Sequence, residues 1–258
     1  MNGAALRAVL IATGALSALL AVLAIFDQMW ELVYGWLGLA LLTEAALLYG
    51  RAPPHDELSL ASTNEHRVLG AIALLTSVFV PLVALLHAGF LDGIPGAILA
   101  GLVMLSAVHR LGSRDWAAPV TQFEGFPAAW GVAGFMLHAF DATPFAATLA
   151  IGTMVALSTL PVSWPHPLQS RILPAITRWV AAAWSAAAAS TLWHGFPAAG
   201  SAKAVMLAAV FFGAALSAQT LRVNGFASVA RLRKPTVFGA MDAPALDPNE
   251  TTRDHDRK

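Results

Sequence analysis

Two charged residues stand where charge is expensive. Glu44 lies inside the apolar run "LLTEAALLYG" (41–50), and Arg51 follows seven residues later. At 1.5 Å rise per residue they sit about 10 Å apart along a helix. An acid so placed pairs with a cation, binds a polar headgroup, reaches the water interface, or is protonated at neutral pH, and an intramembrane acid is a functional candidate by default. Arg51, His66 and Arg67 cluster just after it. They suit phosphate contact, for which the guanidinium fork is well shaped, and they serve equally as markers of topology. Trp130, with Phe126, is able to hold a quaternary ammonium by cation–π contact; anchoring an interface or packing between helices is the other reading. His166 and Arg171 in "HPLQSRILP" (166–174) add two further headgroup-facing candidates.

Other chemistries are excluded or left without support. There is no cysteine, which rules out a disulfide framework and a Cys-based metal site. No HExxH, P-loop or GxSxG is present. His87, His138 and His194 fall on different segments, and nothing in their spacing requires them to converge. A formal net charge of zero gives no case for nucleic acid as a partner.

The elements that must position these residues are apolar. The chain of 258 residues is 57% hydrophobic and 12% charged, against about 25% charged in an ordinary soluble domain. Uncharged stretches such as 8–26, 68–91, 142–170 and 179–202 approach or exceed the roughly 20 residues that span a bilayer core as a helix. In lipid, helices are the open-chain way to satisfy the backbone. The expected fold is all-α: a polytopic bundle of eight spans near 5–26, 29–50, 67–88, 91–110, 126–144, 145–163, 175–194 and 202–220. With the N-terminus inside, this threading puts every one of the 15 Lys and Arg except Lys203 inside or at the inner boundary. It therefore predicts N-in and C-in. The N-terminal run reads as the first span, since more spans follow it. The membrane domain covers 1–220. A cytoplasmic tail, 221–258, starts basic and ends in the polar "DAPALDPNETTRDHDRK", which reads as disordered.

Three stretches resemble the bacterial phosphatidylcholine synthases, a branch of the CDP-alcohol phosphatidyltransferase superfamily. "QFEGFPAAWG" (122–131) is similar to that family's Gly-Phe-Pro-x-x-Trp-Asn segment, "HPLQSRILP" to its His-Pro segment, and "WLGLALLTEAALLYGRA" (36–52) falls where its catalytic helix begins. "TSVFVPLVALLHAG" (76–89) resembles the far end of the next helix. The resemblance implies an eight-span fold and transfer of a phosphatidyl group from CDP-diacylglycerol to choline, releasing CMP. It also implies a signature Asp-x-x-Asp-Gly-x-x-Ala-Arg, then Gly-x-x-x-Asp-x-x-x-Asp, whose carboxylates hold divalent ions against the diphosphate.

The signature is eroded here. In an ungapped reading the first Asp falls on Glu44, the second on Leu47, the third and fourth on Leu69 and Ala73. The Gly positions fall on Leu48 and Glu65, and the Ala-Arg pair on Arg51 and Ala52. Between Glu57 and Asp92 the only acid is Glu65, so no shift of register restores the pattern. "LDGIPG" (91–96) mimics the Asp-Gly start but lies at the opposite end of the spans. Gly131 stands in place of the family's Asn, and Gln169 where a basic residue is usual.

The resulting expectation is a phosphatidylcholine synthase-like protein of the bacterial inner membrane, silent or altered in catalysis. Glu44, Arg51, His66, Trp130, His166 and Arg171 are its substrate-binding candidates. No catalytic or metal-ligating residue is assigned, and no cofactor is expected, with Mg²⁺ or Mn²⁺ required only if the family's activity is retained. Membrane lipid is the expected partner, through a headgroup or nucleotide, and homo-oligomerisation stays open. An active synthase and a non-enzymatic scaffold for lipid enzymes are the two alternatives.

Overall fold

The computed structural model describes residues 3–49, 68, 70–112, 122–124, 130–159, 163–165 and 173–224. Among them the chain forms helices α1 (Gly3–Phe26), α2 (Trp30–Tyr49), α3 (Gly70–His87), α4 (Gly93–Gly112), α5 (Trp130–Ala139), α6 (Pro144–Thr159), α7 (Pro174–His194) and α8 (Gly200–Asn224). One small addition departs from an all-α reading. Strand β1 (Gln122–Glu124) pairs antiparallel with β2 (Ser163–Pro165), with Phe123 opposite Trp164. The helices and ribbon lie in a unit covering Met1–Leu221; the remaining stretch, Arg222–Lys258, groups separately.

Three helices are long and apolar enough to cross a bilayer: 5–26, 70–87 and 200–218. Gly93–His109 and Pro144–Ser158 are shorter apolar helices. Within the expected span at 126–144, the described residues form α5 over 130–139, and it stops at a turn through Asp141, where φ is 53°. Outward faces carry Leu16, Leu19 and Leu23 on α1, Phe145 on α6, Trp179 and Trp193 on α7 and Phe211 on α8. Bare apolar faces of this kind suit a lipid surround, whose tails are as apolar as leucine.

α1 and α2 run as a close pair because their facing residues are small. Ser17, Ala18, Ala21 and Ala24 are buried on α1, and Ala40 and Thr43 on α2. A Cβ on Gly14 would lie 3.2 Å from Thr43 Oγ1 and 3.6 Å from Ile72 Cγ2, so α1, α2 and α3 meet closely at that level. Helix α3 packs against α1, α2, α4 and α5 while Leu75, Phe79 and Leu86 stay exposed, and α5 packs against α2 and α3 and is mostly buried. Val80 and Ala84 of α3 join Tyr34, Leu37, Phe135 and Ala187 in one core cluster. Val78, Leu82 and Leu85 of the same helix join Val103, Trp130, Leu137 and Ile151 in another.

Helix α3 is irregular at its centre. Residues Leu75–Phe79 form a π-turn, and Val80 N–H reaches back five residues to Leu75 O. Pro81 follows directly, and a proline has no N–H to close the preceding turn. An extra residue in that turn is the local answer, and such turns concentrate at functional positions.

Candidate functional site

The π-turn places a hydroxyl on the acid that the sequence singled out. Glu44 is half-buried on the last third of α2, and Thr76 of α3 is 3% exposed beside it. Thr76 Oγ1 lies 2.9 Å from Glu44 Oε1 and 2.8 Å from Ile72 O. One hydroxyl proton therefore serves two acceptors: it closes a turn of α3 and also solvates the carboxylate. Thr43, the residue before Glu44, is buried and donates to Ala40 O at 2.7 Å. Ser17 of α1 donates to Thr13 O at 2.8 Å. Ser77, beside Thr76 in the π-turn, is 5% exposed and its Oγ has no hydrogen-bond partner among the described residues. A buried hydroxyl in that state is rare.

What this arrangement can hold follows from its donors. Glu44 brings one negative charge and Thr76 one neutral hydroxyl. Two divalent ions bring four positive charges, and Mg²⁺ demands near-ideal octahedral oxygen ligands. Helix α3 carries no carboxylate from Gly70 to His87, and Ala73 stands at one of the two positions where acids were sought. Among the described residues no group of three or more His, Cys, Asp or Glu could hold a metal ion. These residues do not fit a two-metal centre. They suit a hydrogen-bonding group or a single charge.

Of the other site candidates, Trp130 is placed and four are not. Trp130 opens α5, is 1% exposed, and packs among Val78, Leu82 and Leu85 of α3. Its neighbour Gly131 lies against Pro81; a Cβ there would be 3.6 Å from the Pro81 ring. Arg51, His66, His166 and Arg171 lie outside the described residues, as does Leu69. The ribbon nevertheless joins the segments that carry some of them. β1 begins "QFEGFPAAWG" and β2 ends immediately before His166, so the backbones leading into both segments are zipped together. Asp92 of "LDGIPG" opens α4: its Oδ1 accepts from Gly93 N–H at 2.7 Å, and its carbonyl accepts from Gly96 N–H at 3.1 Å.

A second polar cluster sits at the far end of the same helices. His138 Nδ1 is 2.8 Å from Tyr34 Oη and 3.0 Å from Gly134 O. Both side chains are buried, and the imidazole faces Trp30, Phe90 and Phe196 at centroid distances of 4.6, 4.7 and 5.6 Å. Gly134 is required for this approach, since a Cβ there would lie 2.9 Å from Tyr34 Oη. His87 approaches the same Trp30 ring at 6.3 Å. The three histidines that looked scattered in sequence thus lie at one end of the bundle, since His194 ends α7 two residues before Phe196.

The chain is 28% identical to phosphatidylcholine synthase of Bradyrhizobium diazoefficiens over 185 residues, covering 70% of this chain and 68% of that protein. It is 26% identical to phosphatidylcholine synthase of Agrobacterium fabrum over 178 residues, 69% of this chain and 74% of the relative. Against phosphatidylcholine synthase of Pseudomonas aeruginosa it is 28% identical over 162 residues, 62% and 67% of the two chains. The chain resembles the phosphatidylcholine synthases. No family model matches it, and no solved structure does. With these relatives, its apolar helices are those of a membrane protein, and the Glu44–Thr76 contact lies between α2 and α3.

Thr76 and His138 were missed as functional candidates. Threonine is common in membrane helices and carries no charge to mark it. Pro81 was the available signal, because a proline inside a long apolar helix forces the backbone to rearrange one turn earlier.

Proposed function

We propose that this protein is a multi-pass membrane protein of phospholipid metabolism that descends from phosphatidylcholine synthases and no longer performs their metal-dependent transfer. The single observation that carries the reading is the donor set at Glu44. Where the family would present two pairs of carboxylates, the described residues of α2 and α3 at this level include one acid, Glu44, beside the Thr76 hydroxyl. The kinship with named synthases supports a lipid or CDP-lipid ligand, and the ribbon supports a shared cytoplasmic site for the segments around Trp130 and His166. In this reading eight spans cross the bacterial inner membrane with both termini inside. Glu44 hydrogen-bonds a polar headgroup or nucleotide, and Arg51, His66, His166 and Arg171 contact phosphate. No step is routed through a metal.

The test uses purified protein in liposomes with CDP-diacylglycerol, choline and either Mg²⁺ or Mn²⁺. The expected outcome is binding of CDP-diacylglycerol that weakens in Glu44→Ala, with no metal-dependent release of CMP above protein-free liposomes. CMP release matched by phosphatidylcholine formation overturns the reading. That outcome would establish the second one, an active synthase with an unusual site, which the names of the relatives favour.

A further inference from the structure

We propose that Ser77 is an alternate hydrogen-bond donor to Glu44, brought to it when the π-turn of α3 moves one turn toward Gly70. This rests on the Glu44–Thr76 contact and stands whether or not that site binds lipid.

A π-turn holds one residue more than a turn of the α-helix on either side of it. Residues before the extra one follow one helical register, and residues after it follow a register displaced by one. The extra residue of α3 falls within Leu75–Phe79, where Val80 N–H reaches back to Leu75 O. Moving it toward Gly70 leaves both ends of the helix in place. Only the few residues it passes advance by one position, each turning about 100° and shifting about 1.5 Å along the axis. Ser77 then stands where Thr76 stood, Thr76 where Leu75 stood, and Leu75 where Leu74 stood.

The local sequence tolerates each exchange. It runs Leu74-Leu75-Thr76-Ser77, so a hydroxyl replaces a hydroxyl and a leucine replaces a leucine. Leu75 is exposed, and Leu74 packs half-buried against the core. A threonine moved to the exposed place keeps its hydroxyl satisfied by a bond one turn back. Thr13 of α1 and Thr153 of α6 do this at 2.8 Å, to Val9 O and Leu149 O.

Two features of the observed register point to the other one. Thr76 spends a single proton on Glu44 Oε1 and Ile72 O. Ser77, directly after it, is 5% exposed, and its Oγ has no hydrogen-bond partner among the described residues. A buried hydroxyl so placed destabilises the register that leaves it unpaired. The displaced register gives Ser77 the Glu44 carboxylate as acceptor. Pro81 sets the balance, because a proline ring crowds the carbonyl four residues back when the turn before it is α-helical. That carbonyl belongs to Ser77, so the π-turn beside Pro81 is the main form and the displaced one the minor form. Serine lacks the methyl of threonine. The minor form therefore keeps Glu44 solvated and opens space beside it.

The test is 15N chemical exchange saturation transfer on the full chain in lipid nanodiscs, read at the amides of residues 72–80. Wild type is expected to show a minor form at roughly 1–10%, confined to those residues. Thr76→Val should raise its share at least about fivefold, because only Ser77 then offers Glu44 a hydroxyl. Adding Ser77→Ala in the same chain should cancel that rise, whereas adding Ser77→Thr should keep it. No rise in Thr76→Val overturns the proposal, and that is the result a fixed helix with a buried water on Ser77 would give. A rise that survives Ser77→Ala also overturns it. If Thr76→Val does not fold, Ser77→Ala in the wild-type chain decides. There the minor form should fall at least about fivefold, and a minor form left undiminished, or absent from wild type, overturns the proposal.

Discussion

Thr76→Val is the most informative single substitution near Glu44. The two side chains have nearly the same shape, and Thr76 is 3% exposed, so packing is preserved while the hydroxyl is lost. The Ile72 carbonyl that Thr76 also meets lies in a helix, so losing that back-bond matters little. What disappears is one hydrogen bond to the Glu44 carboxylate at 2.9 Å. Bonds to charged groups contribute about 1.5–3 kcal/mol, and a proton shared with Ile72 O brings this one below that range, to about 1–1.5 kcal/mol. For a chain of this size that corresponds to a fall of about 2–6 °C in the unfolding midpoint. The assay is thermal unfolding in nanodiscs of wild type, Thr76→Val, Glu44→Ala and the double variant. The coupling energy between the two positions should be about 1 kcal/mol. A coupling below about 0.5 kcal/mol, within the scatter of independent sites, would show that the hydroxyl does not solvate the acid. The description of this site would then be wrong.

Gly134→Ala is expected to destabilise the protein by about 1–3 kcal/mol, the usual range for overpacking, because the new Cβ would lie 2.9 Å from Tyr34 Oη. Tyr34→Phe in the same chain should restore most of the loss, since the next Tyr34 atoms are 3.5 and 3.6 Å away; no recovery in thermal unfolding refutes the contact. The absence of cysteine makes the threading directly testable by single-cysteine labelling of intact cells. Ser201→Cys should react with an impermeant maleimide from outside, and Ser113→Cys only after permeabilisation. The reverse pattern, or labelling of both, rejects N-in with eight spans.

How much was legible in the sequence depended on charge. Glu44 stood out because a carboxylate in an apolar run is costly, and the helix boundaries of α1, α2 and α7 followed from where polar residues stop. α5 ends at Ala139, short of the expected 144, because Asp141 ends it in a left-handed turn, which hydropathy does not register. The β1–β2 ribbon was invisible, since strands of three residues carry too little periodicity to read. Thr76 escaped notice because its importance lies in which neighbour it meets. His138 escaped because its surroundings come from three separate stretches, around Trp30 and Tyr34, Phe90, and Phe196, and only the fold assembles them.

The central claim is that α2 and α3 cannot grip a divalent pair, and Mn²⁺ titration followed by electron paramagnetic resonance tests it most directly. Purified protein in nanodiscs, titrated at micromolar metal with and without CDP-diacylglycerol, is expected to leave the free Mn²⁺ signal undiminished relative to empty nanodiscs. Loss of that signal at about two ions per chain, abolished by Glu44→Gln, would contradict the account.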